Sequence, residues 1–158
     1  MSLLKIVIGV FAIIIFTKIG VNKSKIYEQN YRYYNALCIF CTNLLGELKY
    51  SKKELKTFEN KEYFSADFSS TLSTFLNEGK DKIIFYPSYL NEVEKSKITT
   101  FFEIVGKGDS LSQQGVVNGF LDDFNVLKNE KYQTFNKYKS FYKKLGFYVG
   151  LIMLIMVV

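Results

Sequence analysis

The stretch "IVGKGDSLSQQG" (residues 104–115) decides the fold class. Two glycines flank Lys107, and Asp109 and Ser110 follow. Read as a phosphate cradle, it makes the chain a nucleotide enzyme. Read as a corner between helices, it makes the chain all-α. A phosphate loop of the G-x-x-x-x-G-K-[ST] kind wraps phosphates in backbone amides and holds magnesium on its hydroxyl. Here Gly108 stands where that hydroxyl belongs, and Phe101 stands where the first glycine belongs. The dinucleotide fingerprint fails too, because no strand pattern precedes it. The helical reading accounts for the residues. Gly106 suits the left-handed position that closes a helix. Gly108 permits a tight turn. Ser110-Leu-Ser-Gln113 reads as a capping box, with Asp109 complementing the dipole of the helix that follows.

Working outward, the composition agrees. One domain is the expectation for 158 residues. A single Pro and 10 Gly leave long stretches without breakers. There is no His, which removes His-based triads, His metal ligands and a titration switch near neutral pH. From Val21 to about Tyr50, Tyr27, Tyr31, Tyr34, Leu37, Cys41, Leu44 and Leu48 recur at helical spacing. Ser51 and Glu54 form a capping box for a short helix to about Lys61. Phe64, Phe68, Leu72 and Phe75 mark a helix over 64–78, which Gly79 closes. "DKIIFYPSYL" reads as a turn of helix or a packed linker ending near Pro87, since a lone strand lacks a partner. Asn91 and Glu94 cap the next helix, whose apolar face is Phe101, Phe102 and Val105. After the corner one helical pattern runs from Leu111 onward through Val116, Phe120, Phe124, Leu127, Tyr132, Phe135, Tyr138 and Tyr142. The aromatic stripes of residues 27–34 and 132–142 are expected to face each other.

The two ends of the chain are apolar. Residues 3–20 form an 18-residue stretch interrupted only by Lys5 and Lys18. As a helix it reaches about 27 Å, close to the ~30 Å hydrocarbon core, and both lysines can snorkel. A cleaved signal peptide is the rival reading, but "FTKIGVNKS" is a poor peptidase site. Residues 145–158, "LGFYVGLIMLIMVV", carry no charge and reach about 21 Å, short for a span unless the bilayer thins. A tail buried in a core is the rival there. Lys23, Lys25 and Arg32 follow the first stretch, and Lys137, Lys139, Lys143 and Lys144 precede the second. The positive-inside rule then puts residues 21–144 in the cytoplasm between transmembrane helices at 3–20 and 145–158. The +6 net charge becomes a matter of topology and lipid contact, and nucleic acid is not required as a partner.

No chemistry-bearing constellation stands out. Cys38 and Cys41 form a lone C-x-x-C in mid-helix, lacking the further ligands of a zinc site and the helix N-terminus of a redox pair. They read as small buried residues. The Lys/Tyr run at 128–144 suggests single-strand stacking, but its aromatics share one stripe and its lysines lie off it, as in a packed helix reaching a membrane interface. Gly146-x-x-x-Gly150 is a small-xxx-small pair, with Gly20 at the matching depth of the first stretch. It serves to lock the two helices together or to meet a partner, including a second copy of the chain. No enzyme activity, metal or cofactor is expected.

The order of these parts resembles the stage III sporulation protein AB family of endospore-forming bacteria. Within "LGELKYSKKEL" (45–55), Glu47 and Tyr50 match that family's acidic-x-x-Tyr segment. "FFEIVGKGDSLSQQ" (101–114) is similar to its helix–corner–helix signature through Glu103, Gly106, Asp109, Ser112, Gln113 and Gln114. The end of the chain looks like its closing span at Leu145, Gly146 and Gly150. Gly108 departs from the family, which carries a bulkier residue there, and the helices here are poorer in Glu and Arg. The resemblance implies a membrane-anchored helical bundle related to the cytoplasmic domains of type II secretion platform proteins. It implies a place in the mother-cell membrane at the forespore, within the channel complex, and as partners a secretion-type ATPase (stage III sporulation protein AA) and other membrane proteins of that complex. Glu47, Tyr50, Glu103, Gly106, Asp109 and Gln113 are then expected to organise the partner interface at the tip of the domain. The competing class is a membrane-anchored adaptor that binds anionic lipid or localises other proteins.

Overall fold

The computed structural model describes residues 2–50, 64–76, 84–105 and 109–157; within the helices, the side chains of 2–6, 8, 9, 12, 49, 50, 153, 154 and 157 lie outside the description. Every regular element among the described residues is a helix: α1 (Ser2–Tyr50), α2 (Ala66–Leu76), α3 (Glu92–Ile104) and α4 (Ser110–Val157). The all-α expectation holds for these residues. The short helix expected at 51–61, its cap at Ser51, and the closing residues Gly79, Gly106 and Gly108 lie outside them. The chain divides into two compact units, one of Met1–Gln29 with Glu130–Val158, the other of Asn30–Asn129.

In the second unit α1 is the central element. Tyr34, Leu37, Cys41 and Leu44 from the expected stripe are buried, but so are Tyr33, Ala36, Cys38 and Phe40. A helix buried on several sides needs neighbours on several sides, and α2, α3 and α4 supply them. The core is aromatic. Phe40 packs on Phe64, Phe68, Phe101 and Phe102, with centroids 5.8–6.3 Å apart. Phe101 meets Phe120 and Phe124 edge-on at 5.2 and 5.4 Å. Edge-on rings bring a positive rim against a negative face, which adds to area burial. Phe75 stacks on Phe102 at 4.4 Å, closing the α2–α3 contact.

Local chemistry explains the helix starts. The Ser65 hydroxyl faces the Phe68 N–H at 3.4 Å, three residues into α2, and its carbonyl accepts from Ser69. The serine and threonine content of α2 is tolerated because Ser70 and Thr71 donate back to carbonyls four residues earlier. Thr71 is buried and also receives the Tyr33 hydroxyl at 3.2 Å. Residues 84–87 are irregular, Leu90 N–H closes a turn on the Pro87 carbonyl, and Phe85 N–H reaches the Thr74 hydroxyl. Over residues 84–90 the stretch is thus a packed linker, and 81–83 lie outside the described residues. Asn91 caps α3 through a full capping box with Glu94, as the sequence implies.

The first unit pairs the outer portions of α1 and α4 through glycine. A Cβ on Gly20 would meet the Tyr142 carbonyl; one on Gly146 would lie 2.5 Å from the Phe16 carbonyl oxygen; one on Gly150 would lie 2.5 Å from Ile13 Cα. All three are buried. Tyr27 continues the contact, stacking on Tyr138 at 4.5 Å and facing Tyr142 at 6.3 Å. The expected pairing of aromatic stripes is realised at these three rings. Tyr132, at 47% exposure, is not packed inward as its spacing implied.

Among the described residues no helix is long and apolar enough to cross a membrane. This departs from the transmembrane helices expected at 3–20 and 145–158. The first stretch lies partly outside the described side chains, and the second has 14 residues, about 21 Å as a helix against ~30 Å of hydrocarbon.

Candidate partner interface

Three helix termini meet at one end of the second unit. A helix leaves its last four carbonyls without intrahelical partners. Near the end of α1, the Leu48 carbonyl accepts from the Ser110 hydroxyl at 2.8 Å. At the end of α3, the Ile104 carbonyl accepts from Gln113 Nε2 at 3.3 Å. Both donors sit in the first turn of α4, so the start of one helix satisfies the ends of two others. This arrangement also sets the positive end of α4 beside two negative ends.

The cap of α4 sits one residue earlier than the spacing suggested. Asp109 accepts from the Ser112 N–H at 2.7 Å and from the Ser112 hydroxyl at 3.0 Å, and its carbonyl receives Gln113 N–H. The expected Ser110–Gln113 box is therefore replaced by an Asp109–Ser112 cap. A carboxylate is a stronger acceptor than a hydroxyl, and Ser110 is engaged by Leu48. The bonds from the Ser112 N–H and hydroxyl hold the Asp109 carboxyl below its ordinary range.

The expected interface residues have distinct surroundings. Gln113 is buried and joins α4 to α3. Asp109 is exposed but occupied as a cap. Glu103 is exposed on α3, and Glu47 is half-buried on α1. Tyr50 ends α1 with its side chain outside the description, and Gly106 lies outside it altogether. At the chain's other candidate contact, Gly20, Gly146 and Gly150 form the helix pairing described above.

Sequence spacing did not single out the surface beside this junction. Ile104, Gly115, Val116, Gly119, Phe120 and Asp123 line an open groove of about 490 Å³. A Cβ at Gly115 or Gly119 would meet nothing within 4 Å, although the two repeat the spacing of Gly146 and Gly150. Lys97 pairs with Asp123 at 2.5 Å along the groove. Leu111, at the start of α4, is 83% exposed. The glycine spacing was readable; that one pair is filled by a helix and the other open is a matter of tertiary placement.

Cys38 and Cys41 are buried free thiols. Burial pushes both thiols above their ordinary range, with the Lys128 charge opposing this at Cys38. They are packing residues of α1. Tyr89 donates to Asp67 Oδ2 at 2.6 Å, and burial followed by that carboxylate raises its phenol. Both features belong to the core. No protein family, no curated protein and no solved structure matches the chain.

Proposed function

We propose that the chain is a non-enzymatic, membrane-anchored platform component that docks a cytoplasmic secretion-type ATPase in a channel complex between mother cell and forespore. The observation that carries the membrane part is the character of the first unit. Its two helices meet through glycine backbone, while large apolar side chains face outward: Phe11, Ile15 and Ile19 on α1, Phe147, Ile152 and Ile155 on α4. A pair packed through small residues with its bulk apolar groups outside suits lipid better than water. In this reading residues 3–20 and 145–158 insert into the bilayer and residues 21–144 face the cytoplasm.

The docking part rests on the resemblance set out above and on the exposed surface beside the α1–α3–α4 junction. Leu111 and Glu103 are outward-facing there, and the groove through Ile104 and Phe120 adjoins them. Co-purification of the full chain with the ATPase tests it. Leu111→Lys and Glu103→Arg touch no cap, so each is expected to reduce capture while leaving the fold intact. Normal capture by the double variant overturns docking at this surface.

A second reading is favoured by one observation: Lys137, Lys139, Lys143 and Lys144 are all exposed on α4. A membrane adaptor working through anionic lipid would use such a face. Salt-sensitive vesicle binding without ATPase affinity selects it.

A further inference from the structure

One face of α4 in the second unit is left bare. Leu111, Gly115, Gly119, Asp122 and Val126 follow at i, i+4, i+8, i+11 and i+15, on one side of the helix, and all five are exposed. The stripe therefore has an apolar residue at each end and uncovered backbone in the middle. Glycine in a helix interior costs stability, and here the cost brings no contact within the chain, because a Cβ at either position would meet nothing within 4 Å. Gly146 and Gly150, at the same spacing, seat α1 so closely that a Cβ on either would lie 2.5 Å from its backbone. Beside the bare stripe the groove of about 490 Å³ stands open. Charge on this face is one-sided. Asp123 is taken up by Lys97. Asp122 on the stripe, and Glu103 next to Ile104 of the groove, are exposed and have no ion-pair partner among the described residues. In a chain of net charge +6, these two carboxylates stand against the overall sign.

We infer that this stripe and the α3–α4 groove receive one helix of the docked partner, with small and apolar residues on its contact ridge and Lys or Arg at its flanks. From Leu111 to Val126 is about 22 Å of helix, so about 15 residues of partner helix cover both ends. The missing Cβ atoms at 115 and 119 let a ridge of the partner sink between Leu111 and Val126, as in ridges-into-grooves packing. A strand would find no sheet edge, since every regular element among the described residues is a helix. A purely apolar helix would desolvate Asp122 without pairing it, whereas a basic flank meets both Asp122 and Glu103. A second copy presenting the same face would bring like charges together. The assignment rests on the docking reading of this surface and is independent of the membrane reading.

The test uses the full chain in phosphatidylcholine nanodiscs and two designed helical peptides of about 16 residues. Both peptides carry one ridge of Leu and Ala; one is flanked by Lys, the other by Glu. Binding is read by fluorescence anisotropy. The Lys peptide is expected to bind about tenfold more tightly than the Glu peptide. Non-specific attraction to a chain of net charge +6 would favour the Glu peptide instead. Glu103→Lys with Asp122→Lys should invert the preference. Gly115→Leu with Gly119→Leu should weaken Lys-peptide binding about tenfold or more, with thermal unfolding no lower than in the parent, since both Cβ positions are open. Equal binding of the two peptides, no inversion, or unchanged binding by the Gly variant overturns the helix site. Self-association of the parent that the Gly variant abolishes gives the groove to a second copy and overturns it too. Normal ATPase capture by the Gly variant removes the groove as the docking seat while docking itself stands. Peptide binding as expected without any ATPase capture overturns the ATPase reading and leaves the helix site in place.

Discussion

The carbonyl oxygen of Phe16 lies 2.5 Å from the point where a Cβ on Gly146 would stand. That oxygen belongs to backbone and cannot swing aside, so Gly146→Ala must push the two helices apart. Overpacking of this kind costs about 1–3 kcal/mol. Gly119→Ala is the converse, because its Cβ would meet nothing within 4 Å. There the substitution removes only the helical penalty of glycine and is expected to stabilise by about 0.5–1 kcal/mol. Unfolding of the full chain in detergent measures both, and opposite signs at the two positions are expected.

The cap on α4 makes a prediction about acid. The Asp109 carboxyl is held below its ordinary range by the Ser112 bonds, so its ionised form is favoured in the folded chain. A depressed folded value adds stability that is present above the unfolded value and lost as pH falls through the folded one. Thermal unfolding across the acidic range should show this loss in the parent chain. Asp109→Asn keeps a capping oxygen and should lack that part of the pH dependence, whereas Asp109→Ala should be less stable at neutral pH.

Thiol labelling tests the core reading of the C-x-x-C pair. Both thiols are buried, and burial raises both above their ordinary range. The thiolate is the reactive form, so neither should label in the folded chain during the time in which the denatured chain reacts fully. Rapid labelling of Cys41 under native conditions would remove it from the core.

Phe101 and Leu111 separate packing from surface. Phe101 is fully buried against Phe40, Phe120 and Phe124. Phe101→Ala is expected to cost about 3–5 kcal/mol. Leu111→Ala, at an exposed position, should stay within about 0.5 kcal/mol of the parent in a denaturant titration.

These residues also show what spacing can and cannot reveal. The stripe through Tyr34, Leu37, Cys41 and Leu44 and the Asn91–Glu94 box were legible, because both depend on residues within one or two turns. Tyr33 and Phe40 lie off that stripe and are equally buried, since α1 is covered on several sides and a single-face pattern cannot register that. The cap on α4 was displaced by one residue because Ser110 bonds a carbonyl 62 positions away. No local rule anticipates such a partner. Among the described interface residues, Gln113 and Asp109 turn out to join and cap helices, while Glu103 and the unforeseen Leu111 are exposed.

The most direct trial of the membrane account is protease accessibility of the full chain in intact cells, followed by the same digestion after permeabilisation. Residues 21–144 hold most of the lysines and should survive in intact cells and be cut once the membrane is opened. Cleavage within that region in intact cells would contradict an inward-facing helical unit held by the two apolar ends.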